Sequence, residues 1–349
     1  MKVTQTAGDK KAVCGRCGQT IQMPLSETTL QLKHRKAVSL STTDANPPAQ
    51  MALHQVPTRF DERQAINPEL VTLLDSPEQP DEIGRLGGYR ILQVIGSGGM
   101  GVVFRAHDPQ LDREVALKAM LPALAASETA RQRFLREARA AASLFHDHII
   151  PIYQVGEQHG VPFLAMPFLQ GESLETRIQR VDGPLPIDEI RSIARQTAEG
   201  LAAIHARGMV HRDIKPGNIF LEGKSGRVKI LDFGLARQGG DVQLTQEGNI
   251  VGSPAFMAPE QARRESLDGR ADLFSLGCVL YLMATGVLPF EADDVLAMLL
   301  AITTQEPVDV RKRNPALPES LARLIMDLLA KNPQDRPATA QEVIRRLGH

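Results

Sequence analysis

The chain has 349 residues, 42% of them hydrophobic, and its 40 Lys+Arg nearly cancel its 41 Asp+Glu to a formal net charge of -1. That is enough for one large domain or two ordinary ones with a buried core, and the charge balance gives no reason to expect nucleic acid as a partner. Three cysteines cannot build a disulfide framework, the start MKVTQTAGDKK lacks the apolar core of a secretion signal, and no uninterrupted apolar stretch approaches the ~20 residues of a membrane span. A soluble cytoplasmic protein with no membrane span is expected.

Residues 1–25 carry VCGRCG, in which Cys14 and Cys17 form a C-x-x-C knuckle, half of a zinc ribbon. Structural Zn²⁺ needs four ligands. Cys278 sits in an apolar run, and beyond His34 nothing supplies a convincing fourth. Three readings stay open: knuckles from two chains pair in a dimer, the natural start lies upstream, or the site is degenerate and binds nothing. Residues 26–87 are rich in Ser, Thr, Gln and Pro and lack hydrophobic periodicity. They predict a flexible, largely disordered linker. One short piece, 67–76, predicts a helical turn or two, with Asn67 as cap and Pro68 at the first helical position.

From residue 88 to 349 the texture is that of a folded domain. YRILQVIG and GVVFRAHD predict strands around a Gly-rich turn, and EVALKAML predicts a third. ETARQRFLREARAAASLF predicts a helix burying Phe134, Leu135, Ala138 and Leu144. VPFLAMPFL predicts another strand. PIDEIRSIARQTAEGLAAIHARG predicts a helix with Ile187, Ile190, Ile193, Ala194, Thr197, Leu201 and Ile204 on its buried stripe, ending at Gly208. The short strands GNIFLE and RVKILDFG follow, then helices to the end, among them a buried one within 273–290 closed by a Gly-Pro turn. Strands first and helices after describe a two-lobed α+β body with a small β-rich first lobe and a larger helical second lobe.

Several segments carry chemistry. IGSGGMGVV places Gly96, Gly98 and Gly101 in a G-x-G-x-x-G pattern. A strand, not a helix, follows the glycines, which favours a glycine-rich hairpin lid over phosphates rather than a dinucleotide fold. Lys118 in VALK projects from a strand of apolar neighbours, and Glu137, nineteen residues on, can face it from the helix. HRDIKPGN holds Asp213, Lys215 and Asn218 around Pro216 and Gly217, and ILDFG ends a strand with Asp232. The oxygens of Asn218 and Asp232 suit Mg²⁺. The GKS of EGKS (222–225) ends like a Walker A loop, but Asn218 stands where its first Gly is required, so it reads as a hairpin turn.

In order, Gly96/Gly98/Gly101, Lys118, Glu137, Asp213, Asn218, Asp232 and the later MAPE (257–260) resemble the protein kinase family, and the wording GSGGMGVV and MAPEQA resembles its bacterial, Hanks-type serine/threonine members. The resemblance runs from residue 88 to about 347. It implies an ATP-dependent phosphotransferase acting on protein Ser/Thr hydroxyls, with Mg²⁺ as cofactor and Mn²⁺ as an alternative. It implies that Asp213 accepts or orients the proton of the acceptor hydroxyl, Lys215 neutralises the transferring phosphoryl group, Asn218 and Asp232 hold the metal, and Lys118 with Glu137 fixes the α- and β-phosphates. Lys215, two residues after Asp213, points to Ser/Thr rather than Tyr acceptors. Ile95, Val103 and Ala116 would cover the adenine, Met166 would back the pocket, and Pro167, Phe168 and Leu169 would be the hinge, with Leu169 supplying the N–H. Asp272 would anchor the catalytic-loop backbone, and Arg336 would pair with Glu260.

Arg212 beside Asp213 resembles kinases switched by phosphorylation of the loop at 235–253, where Thr245 and Ser253 are the acceptors and Glu247 stands where related kinases carry a second Thr. Autophosphorylation at Thr245 is the expected regulation, with two readings open for Glu247: a partial phosphate mimic or a solvated loop Glu. A nucleotide-binding scaffold without catalysis and a small-molecule phosphotransferase on the same fold are the rival readings.

Overall fold

The computed structural model describes residues 11–13, 20–22, 73–99, 101–232 and 254–348. The chain divides into two compact units, residues 1–55 and 56–349. In the first, β1 (Lys11–Val13) and β2 (Thr20–Gln22) pair antiparallel, Val13 opposite Thr20. Cys14 and Cys17 lie outside the described residues.

The second unit opens with an antiparallel six-stranded sheet in the order β3-β4-β5-β6-β8-β7. Its strands are β3 (Gly84–Leu86), β4 (Tyr89–Gly98), β5 (Gly101–Asp108), β6 (Arg113–Met120), β7 (Gln154–Gln158) and β8 (Val161–Pro167). In β5, Val102, Phe104 and Ala106 alternate inward and are fully buried, the period-two pattern of a strand with one core face. Gly101 begins β5 because a Cβ there would lie 2.4 Å from the Ala119 carbonyl oxygen. A short helix α1 (Pro122–Ala125) leads to α2 (Glu128–Ala142), capped by Ser127, whose hydroxyl accepts from the Ala130 N–H. α2 lays Phe134, Leu135, Ala138 and Ala141 against the sheet.

The expected linker boundary at residue 87 is corrected by this sheet. Leu73 is buried, Asp75 forms a β-bridge with Arg85, and β3 pairs with β4. Glu82 is buried and binds the guanidinium groups of Arg85 and Arg90 at 3.0 and 2.8 Å. Ordered structure therefore reaches back at least to Leu73. This segment is held by ladder bonds and ion pairs, which leave no hydrophobic period to read. For the same reason Asp75 is bridged and not helical; residues 67–72 of the expected helical turn lie outside the described residues.

The second lobe is helical. α3 (Leu174–Arg180) and α4 (Ile187–His205) lie in the chain between β9 (Gly171–Ser173) and the hairpin of β10 (Ile219–Glu222) and β11 (Arg227–Ile230), and the three strands form a small sheet in the order β11-β10-β9. The EGKS segment is the turn between β10 and β11, as expected. The short α5 (Pro259–Ala262) leads to α6 (Arg270–Thr285), which is buried from Ala271 through Ala284 and stops at Gly286, whose φ of 77° a side chain would resist. α7 (Val295–Thr304), α8 (Val310–Arg313), α9 (Glu319–Leu328) and α10 (Ala340–Leu347) complete the lobe. Arg336 pairs bidentately with Glu260 at 2.6 and 2.8 Å, both side chains out of solvent. No helix among the described residues is long and apolar enough to cross a membrane.

Candidate active site

The loop between α4 and β10 is built on one carboxylate. Asp272, on α6 and fully buried, accepts the His211 N–H on Oδ2 at 2.8 Å and the Arg212 N–H on Oδ1 at 2.7 Å. His205, at the end of α4, binds the same Oδ2 through Nε2 at 2.8 Å. Gln261 adds a bond from its side-chain amide to the Arg212 carbonyl at 3.1 Å. These bonds hold Arg212 at φ 68°, a left-handed conformation that costs a non-glycine residue about 1–3 kcal/mol.

His211 carries the order onward. Its Nδ1 accepts the Asp213 N–H at 3.3 Å, so its Nε2 holds the proton and donates to the Leu231 carbonyl at 2.9 Å. The loop is thereby tied to the end of β11, where Asp232 follows at φ 46°. The Leu231 N–H returns a bond to the Asn218 carbonyl at 2.8 Å.

Asp213 faces Lys215 and Asn218. The Lys215 Nζ lies 3.0 Å from Asp213 Oδ2, and the Asn218 side-chain amide donates to the same oxygen at 2.9 Å and to the Asp213 carbonyl at 2.8 Å. With its N–H groups spent this way, Asn218 keeps its side-chain oxygen for a cation. Asn218 is buried by the tight turn at Pro216–Asn218. The donors on offer, a carboxylate on Asp232 and an amide oxygen on Asn218, are hard oxygens that fit a small divalent cation rather than a thiophilic one.

Lys118 extends from β6, between Val103 and Leu164 on the flanking strands. Its Nζ binds Asp232 Oδ1 at 2.6 Å. Burial raises the Asp232 pKa, but Lys118, then Lys215 and His211, outweigh it and hold the carboxyl below its ordinary range. The expected pairing of Lys118 with Glu137 is not formed. Glu137 lines a cavity of about 380 Å³ with Arg136, Arg212, Met209, Val210 and Leu267, and its Oε2 is buried without a hydrogen bond. Burial pushes its carboxyl above the ordinary value, against the pull of Arg212, Arg136 and Arg133. α2 is turned so that Glu137 looks toward the catalytic loop; helical spacing cannot specify that rotation.

The remaining expected site residues fall beside this cluster. Gly96 lies opposite Val103, and Gly98 opposite Gly101, in the hairpin of β4 and β5. Ala116 is paired across strands with buried Met166, and Leu169 follows β8. Ile95 is half-buried near the end of β4. Thr245, Ser253 and Glu247 lie outside the described residues. Sequence reasoning missed His205 and Gln261, whose roles depend on through-space contact, and it missed the Lys118–Asp232 pair.

Residues 89–346 match the family model described as the protein kinase domain. The chain is 37% identical over 278 residues to the serine/threonine-protein kinase pkn3 of Myxococcus xanthus, covering 76% of this chain and 51% of that one. It is 40% identical over 254 residues to the DNA damage-responsive serine/threonine-protein kinase RqkA of Deinococcus radiodurans, covering 72% of this chain and 38% of the relative. It therefore spans about half, or less, of the length of these curated relatives. The crystal structure of the Mycobacterium tuberculosis PknI kinase domain superposes with a TM-score of 0.61 at 29% identity, covering 75% of this chain and 95% of that domain.

Proposed function

The chain belongs to the protein kinase family, and on that premise we propose that it is a serine/threonine protein kinase. The family uses ATP and a divalent metal. The observation that carries the reading is the convergence of Asp213, Lys215 and Asn218 on one another, tied through His211 to the Leu231 carbonyl just before Asp232.

In the proposed mechanism, the acceptor Ser or Thr oxygen forms a bond to the γ-phosphorus of ATP as the bond to the β–γ bridging oxygen breaks and ADP leaves. Asp213 takes the acceptor proton and releases it to solvent. Lys215 balances charge on the transferring group, and Lys118 orients the α- and β-phosphates once Glu137 holds it. The hairpin carrying Gly96, Gly98 and Gly101 covers the phosphates. Ile95, Val103, Ala116 and Met166 enclose the adenine, with Leu169 offering its N–H. Asn218 and Asp232 would hold Mg²⁺, with Mn²⁺ as a substitute, and that cation supplies neutralisation of the β- and γ-phosphate charge. Positioning and electrostatics supply most of the rate in such a transfer. Autophosphorylation at Thr245 is the proposed regulation, and the cytoplasm the proposed setting.

A nucleotide-binding scaffold is the second reading, favoured by Glu137 standing away from Lys118. Intact mass of phosphatase-treated protein, before and after Mg-ATP, beside Asp232→Asn, separates the two. Mass gains in phosphate steps in the wild type alone support the kinase. Nucleotide binding with no gain, on itself or on added protein substrates, supports the scaffold.

A further inference from the structure

The catalytic loop is gripped from two sides, and one grip is a neutral side chain with no part in the chemistry above. Arg212 gives its N–H to Asp272 on α6 at 2.7 Å. Its carbonyl receives the side-chain amide of Gln261 on α5 at 3.1 Å. Gln261 is 6% exposed, so a lost bond there would leave polar groups away from water.

The Arg212 carbonyl shares one peptide plane with the Asp213 N–H. Turning that plane re-aims the backbone of Asp213 and the carboxylate it carries. The N–H end is weakly held, by a 3.3 Å bond to His211 Nδ1. Arg212 itself stands at φ 68°, a conformation that persists in a non-glycine residue only where its surroundings enforce it. Gln261 holds the carbonyl end of the plane.

Gln261 works from a fixed base. Glu260, beside it in the chain, is bound bidentately by Arg336. The Ser275 hydroxyl on α6 donates to the Phe256 carbonyl at 2.7 Å. Gln261 Oε1 accepts the Ala258 N–H at 2.9 Å, which fixes the amide with its NH₂ toward Arg212. The position needs an acceptor and a donor on one side chain. An ionised Glu offers two acceptors, Met offers no donor, and Asn is shorter by a methylene.

We propose that Gln261 is a positioning residue for the phosphotransfer: its amide locks the Arg212–Asp213 peptide plane and so aims the Asp213 carboxylate at the acceptor hydroxyl. This rests on the kinase reading above and deepens it by adding a residue that acts through Asp213 and not on the reacting atoms.

The test uses the full chain with Mg-ATP and the best acceptor from a set of Ser- and Thr-bearing peptides. Gln261→Glu keeps an oxygen for the Ala258 N–H but sets a second one against the Arg212 carbonyl. Gln261→Met keeps the length and removes both bonds. Both variants are expected to lower kcat by about tenfold or more, with the KM for ATP and the KM for peptide unchanged. A side chain that merely caps α5 would spare Gln261→Glu and impair Gln261→Met alone. Wild-type kcat in Gln261→Glu, or a fall in kcat accompanied by an equal rise in either KM, overturns the proposal and leaves the kinase reading intact. Should Gln261→Glu not fold, Gln261→Met decides by the same split: kcat lowered at constant KM supports the proposal, and wild-type kcat overturns it. No transfer by the wild type to any peptide, to protein substrates or to the chain itself overturns both.

Discussion

Lys118 is bound to Asp232, with Nζ 2.6 Å from Oδ1, while Glu137 points instead into the cavity beside Arg212 with one carboxylate oxygen unpartnered. The arrangement separates groups that phosphate orientation needs together. In the proposed mechanism α2 must move for Lys118 to exchange one carboxylate for the other.

In the proposed mechanism Glu137 therefore serves activity at the expense of stability. Burial raises its pKa, so its charged form is disfavoured in the folded state and stability rises as pH falls through the folded pKa. Glu137→Gln removes the unpaired charge. At pH 7 its Tm should equal or exceed that of the wild type, while kcat/KM falls by about tenfold or more. Thermal denaturation beside peptide kinetics checks both; a large loss of Tm would refute the assignment.

Asp272 is predicted to act on catalysis through the loop it holds. Its carboxylate receives the N–H groups of His211 and Arg212 and the ring of His205. Asp272→Asn keeps the size but replaces one acceptor oxygen with a donor group. Misplacing Asp213 in this way should lower kcat by about 10²-fold. The KM for ATP should barely move, and steady-state kinetics separates the two parameters.

The Glu260–Arg336 pair is predicted to be structural. Arg336 also donates to the carbonyls of Ala330, Arg270 and Lys331, so its removal strands a buried carboxylate and several acceptors. Arg336→Ala should cost about 3–5 kcal/mol. The midpoint of urea unfolding reads that loss.

Glu82 gives a pH signature. Burial opposes its charge, but the Glu78 N–H and the guanidinium groups of Arg85 and Arg90 bring its pKa down from 4.5 to about 2. A depressed carboxyl contributes stability that is present above its unfolded pKa and lost as pH falls through the folded one. The wild type should exceed Glu82→Gln in stability at neutral pH, and the gap should close between pH 4.5 and about 2. Denaturant midpoints across that range would show it; a gap independent of pH would refute it.

The site was legible where the chemistry lies in short contiguous runs. HRDIKPGN carries Asp213, Lys215 and Asn218 within one turn, and backbone geometry alone brings them together. The buried stripes of α2 and α4 were legible because their apolar residues repeat at helical spacing. Residues 73–87 were not, since Glu82, Arg85 and Arg90 fix them by charge and a ladder without a hydrophobic period.

The amino-acid order by itself determined which groups exist, the buried stripes of the long helices, the strands around the Gly-rich turn, and the pairing of remote residues such as Glu260 with Arg336 that the family pattern implies. Only the tertiary structure decided which carboxylate Lys118 takes and where Glu137 points, and it alone brought His205 to Asp272 and Gln261 to the Arg212 carbonyl. Periodicity specifies which face of a helix is buried. The rotation and shift of α2 against the sheet are set by packing and by competition between nearby charges.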